Sequence, residues 1–387
     1  MVALLVASLA LAQAPPRVTL LFGGDVIPHT PLREAAARHG WAPVFAPLAD
    51  TFAAADFTVL NLEAPVVSLK KPEQETLVFW APPELPRALA RAGVDVLGFS
   101  NNHSLDQHRE GIASTRAFLA DAGVRAVGAD VDEAGAWSAL ELEKDGLRVG
   151  VLAFTRFLNG FNNRPDAGLP HVPAVPYPES PIGGGRTEAA TVDLVRALAP
   201  RFDALILFVH WGQEYAHAPL PRDRAFAQAL LDAGAFAIIG AHPHVLQPVE
   251  ALPRADGGVG LVAFSLGNLL SNQDAADERG VRRDGLLLRL ELVRREAGVT
   301  LEGVTPLPVT VEHLKARRAR VVLVAQQLAE AEVGLAAPGL PKVERRRLER
   351  QREVALQRQA RVERFFQDAA LRRAWPGVGG AVGPEAR

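Results

Sequence analysis

The chain has 387 residues, of which 48% are hydrophobic and 22% charged, enough to bury at least one large core. Its formal net charge of −2 at pH 7 provides no whole-protein attraction to nucleic acid or to an anionic membrane. The sequence contains no cysteine, which excludes disulfides and thiolate ligands, so any metal must be held by His, Asp, Glu and Asn. Such ligands favour hard or borderline divalent ions.

The first eleven residues form an apolar segment too short to span a bilayer, and Ala12-Gln-Ala14 follows as a small-x-small cleavage site. A secretory signal peptide over residues 1–14 is therefore predicted, and with it export to the periplasm or cell surface. The usual positive charges before the apolar segment are missing, which leaves a buried N-terminal strand as the alternative. Pro15-Pro16 breaks this segment before the next apolar run.

Apolar runs and helical patterns then alternate. Strands are predicted at 18–22, 57–60, 94–99, 148–154, 204–209 and 235–239, with helices at 85–92, 111–122 and 222–233 that each end near a glycine. This alternation predicts an α/β fold with mainly parallel strands and helical covers. Between residues 257 and 310, short apolar runs separated by turn residues (259–264, 285–293 and 299–304) indicate antiparallel strands that finish the same domain.

From about Val311 the pattern becomes helical, so residues 15–310 are predicted as one domain and 311–387 as a C-terminal helical extension. The segment Lys342–Arg373 holds eleven Lys and Arg against five Asp and Glu. We favour an amphipathic helix that packs apolar residues on the body, namely Val343, Leu348, Val354, Val362 and Phe366. The other interpretation is a basic arm for an anionic polymer or lipid headgroups.

Ligand-type side chains follow the predicted strands at their carboxyl ends. The carboxyl ends of parallel strands share one edge of a sheet, where α/β proteins place their chemistry, so distant residues can converge there. If the Gly240-Ala-His-Pro-His244 stretch is extended, its two imidazoles point to opposite sides and suit two different metals. Each motif alone also fits a turn, a polar loop or a core residue. Together the motifs at Asp25, Glu63, Asn101-Asn102-His103, His210 and His242-Pro-His244 favour a metal site.

Further polar residues fall near these motifs. His103, beside Asn102, is suited to act as a general acid. Additional ligands or hydrogen-bond partners are expected among His29, Asp106, Glu214, His217, Glu250 and Asn268. The remaining histidines have no comparable setting and are interpreted as surface residues: His39, His108, His171 and His313.

Six motifs, in this order, resemble the CapA family of poly-γ-glutamate capsule biosynthesis proteins. They are Gly24-Asp25, Asn61-Leu-Glu63, Asn101-Asn-His-Ser-Leu-Asp106, His210-Trp-Gly-Gln-Glu214, Gly240-Ala-His-Pro-His-Val-Leu-Gln-Pro-Val-Glu250 and Ser265-Leu-Gly-Asn268. The resemblance covers roughly Val18 to Leu307. That family resembles the calcineurin-like metallophosphoesterases, which implies a sandwich of mixed β-sheets covered by helices.

The resemblance also implies one or two divalent ions, with Mn, Zn and Fe as candidates. Asp25 would bind the first metal, Glu63 would bridge, Asn102, His210 and His242 would serve the second metal, and His244 would return to the first. His103 would be the acid beside the leaving group. Three features depart from the wider pattern: Ile27 stands where a histidine is usual, with His29 two residues on, the bridge is Glu rather than Asp, and Gln107-His108 replaces Tyr-Gly.

The implied function is metal-assisted, phosphoesterase-like hydrolysis linked to a capsule or cell-envelope polymer. The expected partners are an anionic polymer or phosphoester substrate and membrane proteins of capsule synthesis, with no indication of nucleic acid. Two alternatives stay open. One is a γ-glutamyl amide hydrolase or transferase, and the other is a non-catalytic polymer-binding or export component that keeps the fold. Retention of the whole ligand set argues against a decayed site.

Overall fold

A computed structural model describes residues 14–68, 77–163, 169–273, 280–313 and 318–378. The predicted signal peptide, apart from Ala14, lies outside these residues. The strands are β1 (Arg17–Val26), β2 (Phe57–Leu62), β3 (Val96–Phe99), β4 (Arg125–Gly128), β5 (Leu140–Lys144), β6 (Leu147–Thr155), β7 (Ala204–His210), β8 (Ala237–Ala241), β9 (Val249–Pro253), β10 (Val259–Ala263), β11 (Asn268–Leu270), β12 (Asp284–Arg295), β13 (Gly298–His313) and β14 (Ala319–Leu323).

Helices connect and cover these strands. They are α1 (Thr30–His39), α2 (Ala42–Phe45), α3 (Ala49–Ala53), α4 (Glu84–Ala92), α5 (His108–Asp121), α6 (Glu133–Ala136), α7 (Glu188–Leu198), α8 (Pro221–Asp232), α9 (Val324–Ala336), α10 (Lys342–Glu363) and α11 (Ala369–Ala374). Short 3-10 turns occupy Ala46–Leu48, Ala199–Arg201, Val281–Arg283 and Arg364–Phe366.

The strands form two mixed sheets. The first has the order β14-β13-β12-β1-β2-β3-β4, with β11 also paired to β1, and the second has the order β5-β6-β7-β8-β10-β9. Strands β1 to β4 are parallel, as are β6, β7, β8 and β10, whereas β12, β13 and β14 form an antiparallel run. The predicted parallel strands are therefore divided between two sheets. The run at 259–264, expected to be antiparallel, pairs parallel with β8 and antiparallel only with β9.

The main core lies between the two sheets. Because side chains alternate along a strand, Leu20 and Phe22 of β1 face this core while Leu21 faces the helices on the other side of the sheet. The ring of Phe22 meets that of Phe208 of β7 edge to face, with centroids 6.0 Å apart. Burying one such side chain stabilises the fold by about 1.5–3 kcal/mol. The packed sheets bring the carboxyl ends of their parallel strands to the same region.

The C-terminal region is more deeply integrated than an appended extension. The predicted change to helix near Val311 is wrong in position, since β13 runs through His313 and β14 pairs with it before α9 begins at Val324. Short apolar strands with polar neighbours do not differ enough from helical patterns to place that boundary. No helix among the described residues is long and apolar enough to cross a membrane.

Helix α10 packs part of its predicted apolar face on the body. Leu348, Val362 and Phe366 are buried, whereas Val343 is 83% exposed. Arg358 of α10 lies 2.8 Å from Asp284 at the start of β12, and both side chains are buried. Arg361 contacts the second oxygen of the same carboxylate at 2.5 Å. These contacts tie the basic helix to the first sheet.

Candidate metal centre

Asp25 lies at the carboxyl end of β1, where three strands meet. It pairs in register with Asn61 of β2 and with Asn268 of β11. The Asn61 amide donates to Asp25 Oδ1 at 2.7 Å, and the backbone N–H of His242 donates to Oδ2 at 3.2 Å. A Cβ on the preceding Gly24 would lie 1.9 Å from a backbone oxygen of the β10–β11 connection, so only glycine allows this approach.

Glu63, just past β2, is the centre of the cluster. Neither of its carboxylate oxygens has a hydrogen-bond partner among the described residues, although the side chain is fully buried. Its Oε1 lies 3.6 Å from His210 Nε2, 3.8 Å from His244 Nε2 and 4.0 Å from His103 Nε2. Burial raises the pKa of Glu63 well above its ordinary value, and the nearby Asp25 adds to the rise. A buried carboxyl without donors is costly unless a cation or proton satisfies it.

One side of Glu63 is lined by Asn102, His210 and His242. His210 Nε2 lies 2.8 Å from Asn102 Oδ1 and 3.1 Å from His242 Nδ1, so three ligand-type atoms lie close together. Burial, and then the neighbouring histidines, lower the pKa of His210 and of His242 well below the ordinary value. Both imidazoles are therefore neutral at pH 7, which is the form that coordinates metal.

His244 lines the other side of Glu63. Its Nδ1 lies 3.3 Å from Asp25 Oδ2 and 3.1 Å from Asn268 Oδ1. The Asn268 amide donates to the backbone oxygens of His244 and Arg282, at 3.2 and 2.9 Å, which fixes its orientation. Asn268 thus holds both the ring and the backbone of His244.

The backbone of the His-Pro-His stretch differs from the expected extended one. His242 has φ +96° and His244 has φ +56°, both in the left-handed region that favours glycine. The prediction that the two rings point to opposite sides is therefore wrong, and their centroids lie 5.9 Å apart on the same side, facing Glu63. Holding a non-glycine residue in this region costs about 1–3 kcal/mol, which is typical of functional sites.

His103 is held beside the cluster by a carboxylate. Its Nδ1 lies 2.7 Å from Asp106 Oδ2, the same oxygen that accepts the backbone N–H of Phe79 at 2.6 Å. The Phe79 ring stacks on the imidazole with centroids 4.1 Å apart. With Nδ1 engaged by Asp106, Nε2 is the nitrogen that faces Glu63. Asp106 is a partner of His103 and does not join the Glu63 cluster.

The donor set fits one or two divalent cations. The described residues include two groups of ligand atoms, and within each group the atoms lie within 4.8 Å of one another. One group is Asp25, Glu63 and His210, and the other is Glu63, His242 and His244. Glu63 belongs to both groups, and its two oxygens without hydrogen-bond partners are what a bridging carboxylate would offer. Nitrogen and oxygen donors of this kind suit Mn, Zn or Fe.

Other residues named from the sequence lie outside both groups. His29 accepts the backbone N–H of Asn272 at 3.1 Å, and burial, followed by the nearby His244, lowers its pKa to about 4. Glu214 is exposed on the loop after β7. Glu250 lies on β9 and forms an ion pair with Arg224, so it is no ligand or partner of the cluster.

Two further histidines also lie apart from the cluster. His217 lies 3.0 Å through Nδ1 from the Leu246 carbonyl oxygen. The prediction that His171 is a surface residue is wrong, because it is buried against Asn163 and its backbone pairs with Asp130. The other three predicted surface histidines are exposed: His39, His108 and His313.

Several side chains that shape the site were not predicted from the sequence. Asn61 lies two residues before Glu63 on β2, and its amide reaches Asp25 at 2.7 Å and lies 3.4 Å from His210 Nδ1. Its position at a strand end was a usable signal. Phe157 follows β6 and stacks on His242 with centroids 4.6 Å apart, and Asn159 accepts from the Asn102 amide at 3.3 Å. No local pattern marks Phe79.

The fold and site together define a class: an α/β protein of two packed mixed sheets whose parallel strands end at buried histidines and carboxylates. The family model described as "Bacterial capsule synthesis protein PGA_cap" matches residues 19–273, and the chain belongs to that family. The resemblance seen in the six sequence motifs is thereby confirmed.

Individual relatives agree with this assignment. The chain is 27% identical over 300 residues to the capsule biosynthesis protein CapA of Bacillus anthracis, covering 75% of this chain and 67% of that protein. It is also 27% identical over 303 residues to the PGA biosynthesis protein CapA of Bacillus subtilis, covering 76% and 74%. Among solved structures it is similar to the calcineurin-like phosphoesterase YfkN of Bacillus subtilis, at 12% identity and a TM-score of 0.40, covering 89% of this chain and 99% of that one.

Proposed function

We propose that this protein is an exported, metal-dependent hydrolase that acts on an anionic cell-envelope polymer or its phosphoester precursors. One observation carries the proposal: the buried Glu63 carboxyl, without a hydrogen-bond partner among the described residues, is surrounded by the ligand-type atoms of Asp25, His210 and His244. A purely structural cluster would leave an expensive unsatisfied carboxyl in the interior. The family match and the names of the CapA relatives support the link to capsule synthesis.

The residues would divide the chemistry as follows. Asp25, Glu63, Asn102, His210, His242 and His244 would hold the cations, and Glu63 would serve both ligand groups. When bound, such cations polarise a phosphoryl or carbonyl oxygen and lower the pKa of water. The left-handed backbone at His242 and His244 fixes both rings toward Glu63 before substrate arrives.

His103 would supply the proton to the leaving group. Asp106 accepts from Nδ1, which leaves Nε2 on the side of the cluster, where it would hold the proton to be transferred. Phe79, stacked on the ring, keeps it in place and excludes water from one face. This pairing of histidine with an orienting carboxylate is typical of general acids.

The test begins with metal content. Purified protein is stripped with chelator, reloaded separately with Mn²⁺, Zn²⁺ and Fe²⁺, and measured by mass spectrometry for bound metal. Each form is then assayed on a phosphomonoester, a phosphodiester and a γ-glutamyl anilide. Phosphoester turnover that appears only with metal supports the proposal, and turnover of the γ-glutamyl substrate alone would favour amide chemistry. A protein that binds metal yet turns over none of them, with polymer binding intact, would favour the non-catalytic alternative.

A further inference from the structure

A groove lined by arginine runs along helix α10. It has a volume of about 700 Å³, and five arginines line it: Arg283, Arg346, Arg347, Arg350 and Arg358. The remaining lining residues are glutamine and valine, with no carboxylate among the described residues that line it. A concave surface of one charge concentrates its field on whatever enters, so this groove favours an anionic ligand.

The helix places these side chains on one face. Val343, Arg346, Arg350 and Val354 recur every three or four residues, which is the spacing of neighbours on an α-helix. Arg346 and Arg350 are exposed and form no ion pair with a carboxylate of the described residues. Their guanidinium groups remain available for a ligand.

Two other arginines of the groove are already held in place. Arg347 donates to Glu344 at 3.0 Å, and the buried Arg358 contacts Asp284 at 2.8 Å. In the adjoining cavity, Glu312 and Glu330 are both paired with Arg320, at 2.6 and 3.0 Å. Glu312 and Glu330 are therefore engaged by Arg320, and neither forms an ion pair with Arg346 or Arg350.

The groove is connected to the rim of the candidate metal centre by two consecutive residues. Arg283 lines the groove, while the guanidinium of Arg282 lies 3.7 Å from the ring centroid of Tyr215. The Tyr215 ring in turn lies 6.1 Å from the ring of His244. The consecutive residues Arg282 and Arg283 thus lie between the groove and the rim of the metal centre.

We infer that this basic groove binds a polycarboxylate chain and delivers it to the metal centre, an inference that rests on the proposed function. Guanidinium groups bind carboxylates through paired hydrogen bonds, and arginines spread along a helix suit a repeated charge better than a single compact anion. The chemistry matches the polymer for which the Bacillus subtilis relative, a PGA biosynthesis protein, is named.

Two other polyanionic surfaces fit less well. A bilayer requires a continuous apolar face on the helix, yet Leu348, Ala355 and Val362 of α10 are buried against the body. Single-stranded nucleic acid is usually held by stacking on aromatic rings, and the described lining of the groove contains none. Both become outcomes of the test.

The experiment measures the affinity of the full chain for fluorescently labelled poly-γ-glutamate, by anisotropy at low and high salt. The double variant Arg346→Gln/Arg350→Gln should bind about tenfold more weakly at low salt, a loss of about 1.4 kcal/mol shared between two exposed charges. The matched control, Lys342→Gln/Arg345→Gln, removes the same charge from exposed positions of α10 that do not line the groove. It should bind within about twofold of the parent.

Equal losses in both variants, or no loss in either, would overturn the inference. So would tighter binding of the parent to phosphatidylglycerol vesicles or to single-stranded DNA than to the polymer. Bound metal is measured on the same preparations. If the parent binds no metal, but only the Arg346→Gln/Arg350→Gln variant binds the polymer more weakly, the proposed function is rejected and the groove is supported. If the parent binds metal and hydrolyses a substrate but does not bind the polymer, the groove is rejected and the proposed function is supported.

Discussion

The substitution Glu63→Gln separates metal binding from folding, because it keeps the shape of a buried side chain and removes its charge. At a free metal concentration of about 100 times Kd, binding adds about 2.7 kcal/mol to the free energy of unfolding. For a chain of 387 residues this raises Tm by about 3 °C. Glu63 belongs to both ligand groups, so we expect the loss of its charge to raise the Kd for metal by about 100-fold or more. At the same metal concentration, binding then adds only about 0.4 kcal/mol to the free energy of unfolding and raises Tm by about 0.5 °C.

Without metal the same substitution should act in the opposite direction. The pKa of Glu63 is raised by burial and by Asp25, so its neutral form contributes stability at low pH that is lost as pH rises through the folded-state pKa. Glutamine cannot ionise, and the metal-free variant should therefore be more stable than the metal-free parent at pH 8. Scanning calorimetry with and without metal at pH 5 and pH 8 measures both effects.

Glu250→Gln is the matched control. It makes the same chemical change at a carboxylate of β9, which pairs with Arg224 of α8 and lies outside both ligand groups. Its metal-dependent Tm shift should equal that of the parent. If Glu63→Gln also keeps the full metal-dependent shift, the assignment of Glu63 as the central ligand is refuted.

Four further outcomes are expected. His103→Ala should retain metal and lose turnover by about 10²–10⁴-fold, and loss of metal in that variant would make His103 a ligand. Burial lowers the pKa of His171. The stability that neutral His171 contributes is therefore present above the ordinary pKa of histidine and is lost as pH falls below that pKa, by up to about 1.4 kcal/mol per pH unit. His171→Gln should flatten the acid side of a urea-unfolding profile, and an unchanged profile contradicts this. Asp284→Ala should cost about 3–5 kcal/mol, since it leaves the buried Arg358 unpaired, whereas the double variant with Arg358→Met should recover much of that loss. N-terminal sequencing of protein from the native host should begin at Pro15, and intact Met1 on cytoplasmic protein would refute export.

The C-terminal region needs a different test from simple truncation. Because the proposed ligands end at His244, the sequence alone predicts that this region is dispensable for metal binding. The structure places Val362, Phe366 and Trp375 in the core between the sheets, and Arg358 on Asp284. Truncation after Val309 would cut within β13 and expose that core, so loss of metal would report unfolding.

The local features of the fold and site could be predicted from the order of residues in the chain. Apolar runs located most of the parallel strands, and the polar residues that follow them include Asp25, Glu63, Asn102 and His210. These signals are local, because a strand and the loop after it are adjacent in the chain. The order of the six motifs also allowed the family to be predicted from the sequence.

The way these strands and site residues come together depends on tertiary contacts. Pairing between distant strands divided the parallel strands into two sheets and continued the first sheet through β14, which no local period specifies. Left-handed backbone at His242 and His244 turned both rings toward Glu63, whereas alternation along a strand would separate them. The burial of His171 and the pairing of Glu250 with Arg224 likewise depend on neighbours far away in sequence. Residue type and order are properties of the chain, but burial, charge pairing and convergence arise only when sheets and helices pack.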